Sequence, residues 1–293
     1  MTFEIINGKA EFIEKYCRKA PYNVRIGLNG RKYVPLKSVT DEVIHIADGN
    51  SKTGKKVLNF NLSIELTCDK RFPCYTDCLC YAENGCYNFA DNQALYSENT
   101  AFVMNHSIDE IATAFTAAIE KSKAVKMRYF TCGDIPNRKF LQAMVKTALD
   151  NPSVKFWTYT KKYSIVNSWI HDNGGKAESL PNNLKIIYSV WRYEDGDIIP
   201  IDNPYNMPTS EYIPVGFEEL AEQVTHICPC SDPSVLTTCD DCKHPCYELL
   251  PGQSMALLAH SIAKTKERDK MIQAAHEQLK AAKKQQKQTN KQN

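Results

Sequence analysis

The cysteines of this chain are concentrated in two short segments, and this clustering limits what the chain can fold into more than any other feature. The 293 residues include 12 cysteines, of which ten form two groups. The first group is Cys68, Cys74, Cys78, Cys80 and Cys86, and the second is Cys228, Cys230, Cys239, Cys242 and Cys246. Cysteine makes up about 4% of the chain, below the roughly 8–10% of a disulfide scaffold. The first residues show no basic segment followed by an apolar one, so we expect a cytoplasmic protein whose reduced thiols bind metal.

Segments with strand and helix patterns alternate through the middle of the sequence. The distribution of apolar residues predicts strands at Val57–Leu66, Val125–Thr131, Val154–Thr160, Leu184–Val190 and Val224–Ile227. It predicts helices after Ser107 and at Asn137–Leu149, Tyr163–His171 and Phe217–Gln223. This alternation is typical of βαβ units that build a parallel sheet. We therefore predict an α/β fold, an open or partial βα barrel with parallel strands, followed by a Cys-rich C-terminal segment and a C-terminal helix.

Four regions follow from this pattern. They are an N-terminal β-rich extension at 1–50, a βα partial-barrel domain with the first Cys loop at 51–227, a second Cys segment at 228–252, and a C-terminal helix with a basic disordered tail at 253–293. From Ser261 onward, nine Lys and Arg stand against three Asp and Glu, so the tail is the part suited to contact nucleic acid. No apolar run approaches the roughly 18 residues that would indicate a membrane span, and we expect no membrane partner.

The cysteine groups fall where predicted strands end. In open parallel sheets the carboxyl ends of the strands lie at one edge, which is where ligands bind. The first group follows the strand at 57–66, Cys132 ends the strand at 125–131, and the second group follows the strand at 224–227. We therefore predict that ten or eleven thiols come together on one side of the sheet as metal ligands.

The type of metal stays open between iron–sulfur clusters and zinc, which are the centres that repeated thiolates favour. The spacing Cys239-x2-Cys242-x3-Cys246 has gaps of the kind found in iron–sulfur proteins. Structural zinc sites typically show two C-x2-C pairs, and the sequence has one. His226 and His244 lie among the second group and are alternative ligands. Cys17 stands alone, and a solitary cysteine is more often a small buried apolar residue.

Three short motifs carry a resemblance to a known family. They are Cys80-Tyr81-Ala82, Gly133-Asp134 and Tyr159-Thr160-Lys161. The chain resembles the phage and mobile-element family known as gene product eighty-eight over about residues 45–250. More distantly, its layout is similar to that of radical S-adenosylmethionine enzymes. In that superfamily, the loop after the first barrel strand holds a [4Fe–4S] cluster through three cysteines, and one iron binds the amino and carboxylate groups of the cofactor.

The resemblance to the radical enzymes implies roles for several residues. It implies that Gly133 and Asp134 bind the cofactor, with Asp134 anchoring its amino group. From its charge, Lys161 is a candidate to contact a carboxylate or phosphate, and Asp134 and Lys161 are the candidate catalytic residues. Tyr159 is a further cofactor-binding candidate. Alternative interpretations are a turn residue for Asp134, a solvated strand end for Lys161 and core packing for Tyr159.

The cysteine spacing leaves the number of clusters and their type of ligation open. The resemblance implies auxiliary clusters in the segment from Cys228 to Cys246. In the first loop, however, Cys74-x3-Cys78 is followed by Cys80 after one residue, unlike the usual spacing of the superfamily. Cys68 adds a possible fourth ligand, and four thiolates would close the cluster to S-adenosylmethionine.

Three functions are consistent with these features. The first is a radical-SAM-like redox enzyme with two or more iron–sulfur clusters, which takes electrons from a donor and acts on a small molecule, a peptide or a nucleotide. The second is a closed-cluster iron–sulfur protein with an electron-transfer or structural role. The third is a zinc-stabilised protein of a mobile element that binds nucleic acid or a protein partner.

Overall fold

A mostly parallel β-sheet with helices packed on it forms the framework of the structure, which is a computed structural model. The structure describes residues 2–6, 9–13, 22–27, 30–50, 53–76, 80, 82, 85–191, 198–213, 224–231 and 237–258. The strands are β1 (Thr2–Ile6), β2 (Lys9–Ile13), β3 (Arg25–Ile26), β4 (Lys32–Tyr33), β5 (Val43–Ala47), β6 (Val57–Phe60), β7 (Lys126–Tyr129), β8 (Lys155–Thr160), β9 (Leu184–Val190), β10 (Thr209–Ile213), β11 (His226–Ile227) and β12 (Ser254–Leu258). The α-helices are α1 (Ile64–Thr67), α2 (Pro73–Thr76), α3 (Ala90–Asn105), α4 (Ile108–Ser122), α5 (Arg138–Asp150) and α6 (Tyr163–Asp172).

The order of the strands confirms the predicted α/β fold with parallel strands. Among the described residues the main sheet has the order β11-β12-β10-β9-β8-β7-β6-β5-β1-β2. The strands from β6 to β12 pair in parallel, whereas β5, β1 and β2 continue the sheet in antiparallel pairs. The short strands β3 and β4 form a separate antiparallel ribbon.

One face of the parallel strands, here called the helix face, packs against α4, α5 and α6. The register aligns Phe60 of β6 with Tyr129 of β7, and both contact aromatic rings from the helices. The rings of Phe60 and Phe115 meet edge to face with centroids 4.9 Å apart, and Phe140 of α5 lies 5.9 Å from Phe60. Such aromatic pairs add about 0.5–1.5 kcal/mol each beyond the burial of their surface.

The opposite face, here called the cysteine face, is covered by part of the second cysteine segment. Val57, Trp157 and Ile187 of three different strands pack there with Cys228 and Cys246. The parallel strands are thus buried on both sides, and all four residues of β6 are buried, including the polar Asn59.

The helix starts follow the signals in the sequence. The Ser107 hydroxyl accepts a hydrogen bond from the Glu110 amide at 3.3 Å, and the Glu110 carboxylate accepts one from the Ser107 amide at 2.8 Å, which completes the predicted capping box of α4. The Asn137 side chain accepts a hydrogen bond from the Phe140 amide at 2.9 Å and caps α5.

Several predicted elements differ in the structure. The strand predicted at Val57–Leu66 ends at Phe60, and the chain then forms α1. Residues 254–258, which we assigned to the C-terminal helix region, form β12. This strand pairs in parallel with β10 on one side and with β11 on the other. The elements α3 and β10 were not predicted. The helix predicted at 217–223 and the tail from 259 lie outside the described residues.

Helix α3 was missed because much of its buried surface is polar. The Asn99 side chain accepts a hydrogen bond from the His45 amide at 2.6 Å, and it donates to the carbonyls of His45 and Asn61 at 2.9 Å. This amide therefore bridges β5 and the residue after β6 where the two strands separate. In the part of the chain that the structure describes, no helix is long and apolar enough to cross a membrane.

Candidate functional site

Three cysteines lie near one another beyond the carboxyl end of β6, and we call Cys68, Cys74 and Cys80 the strand-end trio. Cys68 ends α1, Cys74 lies in α2, and all three are partly buried. Burial, followed by the negative charges of Asp134, Cys80, Cys74 and Cys132, raises the pKa of the Cys68 thiol well above its usual value. The sulfur atoms are therefore close enough to influence one another. Cys78 and the side chain of Cys86 lie outside the described residues.

Cys132 lies beside the trio, but its sulfur already has protein partners. The thiol donates to the Leu62 carbonyl at 3.5 Å, and the Gln93 amide donates to the sulfur at 3.7 Å. The Asn61 side chain accepts hydrogen bonds from the amides of Thr131 and Cys132 at 2.9 and 3.1 Å. These contacts fix Cys132 in the seam between β6 and β7.

Gly133 lets the chain turn sharply after Cys132. Its φ angle is +92°, and a Cβ atom at this position would lie 2.7 Å from the Leu62 carbonyl oxygen. Only glycine fits both the left-handed conformation and the close backbone approach. The glycine that we predicted as a cofactor-binding residue therefore has a structural role that brings Asp134 to the carboxyl end of β8.

Asp134 joins the ends of two strands and a helix. Its carboxylate accepts hydrogen bonds from the Thr160 hydroxyl at 2.5 Å and the Lys161 amide at 2.9 Å, and from the Ile135 amide at 2.7 Å. Its own amide donates to the Thr67 hydroxyl of α1 at 3.0 Å. Burial raises the pKa of this carboxyl group, while the hydrogen bonds from Thr160 and Lys161 oppose the increase. A carboxylate has about four acceptor positions, so about one remains for the amino group that we predicted it to anchor.

The Lys161 ammonium group faces the strand-end trio. Burial alone would lower its pKa, but the negative charges of Cys74, Asp134, Cys68 and Cys80 outweigh this effect and raise it. The nitrogen also lies 5.4 Å from the ring centroid of Trp191. Lys161 is therefore not a solvated strand end; it supplies a positive charge next to three thiols.

The second cysteine group, called the face thiols and comprising Cys228, Cys230, Cys239, Cys242 and Cys246, does not lie at the carboxyl edge of the sheet. Cys228 follows β11 as expected, but Cys230, Cys239 and Cys246 pack with it against Val57, Trp157 and Ile187 on the cysteine face. Our prediction of one edge for all thiols therefore does not describe this group, because residues 237–249 lie across the strands. Asp240 fixes this path, since its carboxylate accepts from the Lys56 amide at 3.0 Å and its carbonyl from the Lys126 ammonium at 2.9 Å.

The face thiols influence one another strongly. A hydrogen bond with Cys230 lowers the pKa of Cys228 to about 6, and a hydrogen bond with the same thiol also lowers the pKa of Cys239. Burial raises the pKa of Cys246 to about 12. The Tyr159 hydroxyl donates to the Cys246 sulfur at 2.8 Å. Tyr159, which we predicted beside Asp134, therefore belongs to the second group, because adjacent residues of β8 point to opposite faces.

Two cations that our sequence analysis missed accompany the face thiols. The charge of Arg128 lowers the pKa of Cys228 and Cys239, and its guanidinium lies 5.1 Å from the Tyr159 ring centroid. Burial raises the pKa of Cys242, and the charge of Lys126 opposes this increase. The alternation Lys126-Met127-Arg128-Tyr129 contained the signal, since a strand places its first and third residues on the face opposite the aromatic core.

The two histidines among the second group lie close together. The rings of His226 and His244 have centroids 5.8 Å apart, and His226 Nε2 is buried without a hydrogen-bond partner. Burial, followed by the charge of His244, lowers the pKa of His226. That one of these histidines replaces a cysteine thiolate as a metal ligand stays a prediction.

The donor chemistry of both groups suits soft metals, although the present positions do not form a complete site. Within the described ranges, no three or more His, Cys, Asp and Glu side chains are placed so that they could hold a metal ion. Cys68 and Cys74 belong to the short helices α1 and α2, outside the strands of the sheet. The two cysteine groups suit a metal centre with thiolate ligands because of the type of donor atom, its burial and the neighbouring cation.

Comparison with known proteins places part of this site within a family. A family model described as Gene product 88 matches residues 44–206. This range contains the strand-end trio, Cys132, Asp134 and Lys161, but not the face thiols. No curated protein and no solved structure matches the chain significantly.

Proposed function

Because the chain belongs to the gene product 88 family, whose name states no activity, we propose its function from the site itself: an iron–sulfur redox protein of radical-SAM-like type. In this proposal the strand-end trio binds a [4Fe–4S] cluster at the carboxyl ends of β6 to β8. The face thiols bind a second centre on the cysteine face. The mostly parallel sheet with helices on one face supports the proposal, since a partial βα barrel is also built from parallel strands flanked by helices.

One observation carries the proposal: Cys68, Cys80 and Cys132 pack together where Asp134 joins the ends of two strands, at the edge where parallel sheets bind ligands. The charges of Cys74, Asp134, Cys68 and Cys80 raise the pKa of Lys161 at this edge. Thiolates with a nearby cation are suited to metal, because the cation offsets part of the negative charge that a cluster with thiolate ligands gathers in a buried place. Soft thiolate donors favour iron–sulfur clusters or zinc over oxygen-seeking ions such as magnesium.

In this proposal the cluster at this edge is incompletely ligated. The charges of Cys80 and Cys74 act on Cys68, whereas Cys132 is held by Leu62 and Gln93 in the seam between β6 and β7. Three thiolates on a [4Fe–4S] cluster leave one iron without a protein ligand. When bound, such a cluster supplies one electron to a molecule held on that iron.

The chain's own residues position and shield this site. The hydrogen bonds of Asp134 to Thr160 and to the Lys161 amide hold the ends of β7 and β8 together, so the backbone that carries the Lys161 ammonium is fixed. The remaining acceptor position of Asp134 is available to an amino group of a bound molecule. Tyr75 and Ala82, buried beside the trio, limit the access of water.

A closed centre is the better proposal for the face thiols. Five thiols are available where four suffice, and three of them already interact through their sulfur atoms. Arg128 and the Tyr159 hydroxyl add a positive charge and a hydrogen bond to sulfur, which are two of the means by which proteins tune cluster potential. We assign this centre an electron-transfer or structural role, and zinc is the competing metal.

The metal content of the protein tests the proposal. The full chain is purified without oxygen, and iron, acid-labile sulfide and zinc are quantified per chain. We expect iron and sulfide in equal amounts, and Cys74→Ser should remove the iron of one cluster. Cys132→Ser is the matched control, since serine can still donate to the Leu62 carbonyl, and it should keep the full iron content. Zinc without sulfide would contradict the iron–sulfur assignment and support the zinc-stabilised binding protein.

The radical type of chemistry needs a separate measurement. S-adenosylmethionine is titrated into the reduced protein while the electron paramagnetic resonance of the cluster is recorded. A changed spectrum in the wild type, but not in Cys74→Ser, would agree with an open iron at the trio. An unchanged spectrum without formation of deoxyadenosine would leave the closed-cluster protein as the remaining iron–sulfur function.

A further inference from the structure

A group of polar and aromatic side chains extends from Lys161 across the next two strands. Trp191 follows β9, is 7% exposed, and stacks on Tyr212 of β10 with ring centroids 4.5 Å apart. The Lys161 nitrogen lies 5.4 Å from the centroid of the Trp191 indole. Ser210 precedes Tyr212 by two residues and therefore lies on the same face of β10. Lys161 and Trp191 directly follow β8 and β9, and the register places Ser210, the second residue of β10, opposite Ser189 and thus level with Lys161.

These three side chains share an unused capacity to donate hydrogen bonds. Trp191 Nε1 and Ser210 Oγ are buried and have no hydrogen-bond partner. None of the side-chain hydrogen bonds or ion pairs within the described residues involves the Lys161 ammonium nitrogen. A buried polar group without a partner costs about 1–3 kcal/mol, so two of them beside a cation call for an explanation.

The chemistry of the donors selects the ligand. An indole N–H and an ammonium group can only donate, and a hydroxyl can also donate, so all three are satisfied together by a group that only accepts. An anionic oxygen gains most, because charge-assisted hydrogen bonds are the stronger ones. An amine or another cation would be repelled by Lys161.

We propose that Lys161, Trp191 and Ser210 bind an oxyanion, the carboxylate or phosphate of the substrate. The subsite adjoins the strand-end trio, so an anion bound here places the rest of its molecule beside the proposed cluster. The stack of Trp191 on Tyr212 fixes the indole edge, which orients the donor before the ligand arrives. The side chain of Lys161 is only partly buried, so its ammonium group is accessible to an anion from solvent. That the anion belongs to the substrate rests on the proposed function; the anion site itself does not.

The test follows the indole protons of the full-length protein by nuclear magnetic resonance. The chain has three tryptophans, Trp157, Trp169 and Trp191, so ¹⁵N-tryptophan labelling gives three indole signals, and Trp191→Phe identifies the third. Inorganic phosphate and acetate are titrated separately, with sodium chloride at equal ionic strength as the control. We expect a saturable shift of the Trp191 signal with phosphate, with acetate or with both, which identifies the anion, and no shift of the other two signals.

Substitutions at Lys161 decide whether the shift reports the proposed site. Lys161→Met should abolish the saturable shift, and Lys161→Arg should retain it. The unchanged signals of Trp157 and Trp169 show that each variant is folded. No shift with either anion beyond the chloride control, or an equal shift in Lys161→Met, would overturn the proposal. Iron measured on the same samples separates the two ideas, because a saturable shift in iron-free protein would support the anion site while the cluster assignment fails.

Discussion

The turn at Gly133 allows a prediction whose magnitude follows from the geometry. In Gly133→Ala the new Cβ would lie 2.7 Å from the Leu62 carbonyl oxygen, 2.8 Å from Leu62 Cβ and 2.9 Å from its carbonyl carbon. Two of these atoms are backbone and cannot rotate away. The φ angle of +92° adds the cost of a left-handed conformation for alanine. The substitution therefore combines backbone strain with overpacking at the junction of β6 and β7.

Gly175 separates these two effects. It also has a positive φ angle, +68°, but a Cβ at this position would meet nothing within 4 Å. Alanine in the left-handed region costs about 1–2 kcal/mol, partly offset by about 0.4–1 kcal/mol from the less flexible unfolded chain. We therefore expect Gly175→Ala to reduce the free energy of unfolding by about 1 kcal/mol. Overpacking costs about 1–3 kcal/mol more, so Gly133→Ala should lose about 2–4 kcal/mol.

Thermal unfolding of both variants, followed by circular dichroism, measures the difference. Because 1 kcal/mol corresponds to about 2–4 °C in a chain of 150–250 residues, an additional 2 kcal/mol should lower the midpoint of Gly133→Ala by about 4–8 °C relative to Gly175→Ala. We also expect Gly133→Ala to bind less iron, since the turn positions Asp134 at the end of β8. Equal midpoints for the two variants would refute the close approach to Leu62 and the position of the turn.

Two further substitutions test the framework and the face thiols. Asn99→Ala leaves buried backbone groups at the separation of β5 and β6 without partners and should cost about 2–4 kcal/mol in urea unfolding. The exposed Asn105→Ala on the same helix should cost less than about 0.5 kcal/mol, and equal losses would exclude the bridging role. Arg128→Met removes the cation beside the face thiols and should speed the loss of their metal to a chelator, whereas Lys155→Met, at an exposed position of the next strand, should not. Equal rates of metal loss in these two variants would contradict the electrostatic role of Arg128.

The pattern of the sequence was sufficient for the core of the fold but not for the end of β6. The strands β7, β8 and β9 and the helices α4 to α6 have strong periodicity and clear caps, and the structure has them within a few residues of the predicted bounds. The sequence Val57–Leu66 also alternates, yet the strand ends at Phe60. The reason is a distant contact: the Asn61 side chain accepts from the amides of Thr131 and Cys132, and this replaces regular pairing. No local pattern contains that information.

The candidate site shows the same division between local and distant information. From the predicted strand ends we expected Cys68, Asp134 and Lys161 to lie close together, because the carboxyl ends of neighbouring parallel strands are adjacent. The position of the face thiols depends instead on how residues 237–249 return across the sheet. That path is fixed by contacts of Asp240 with Lys56 and Lys126, more than 100 residues away in the chain.

The cations of β7 and β8 connect the fold to the proposed chemistry. A face of a parallel sheet that is covered by other chain segments is normally apolar, because a buried charge is costly unless an opposite charge accompanies it. Lys126 and Arg128 nevertheless lie on the cysteine face, where their charges act on Cys242, Cys228 and Cys239, and Lys161 follows β8 beside the strand-end trio and Asp134. Neutral thiols would not compensate these charges, whereas thiolates would, and metal binding is the ordinary way to keep several neighbouring thiols ionised. The positive charges of these side chains are therefore balanced when the thiols bind metal as thiolates. The Arg128 substitution tests this at the face thiols, and the Lys161 substitutions test it beside the strand-end trio.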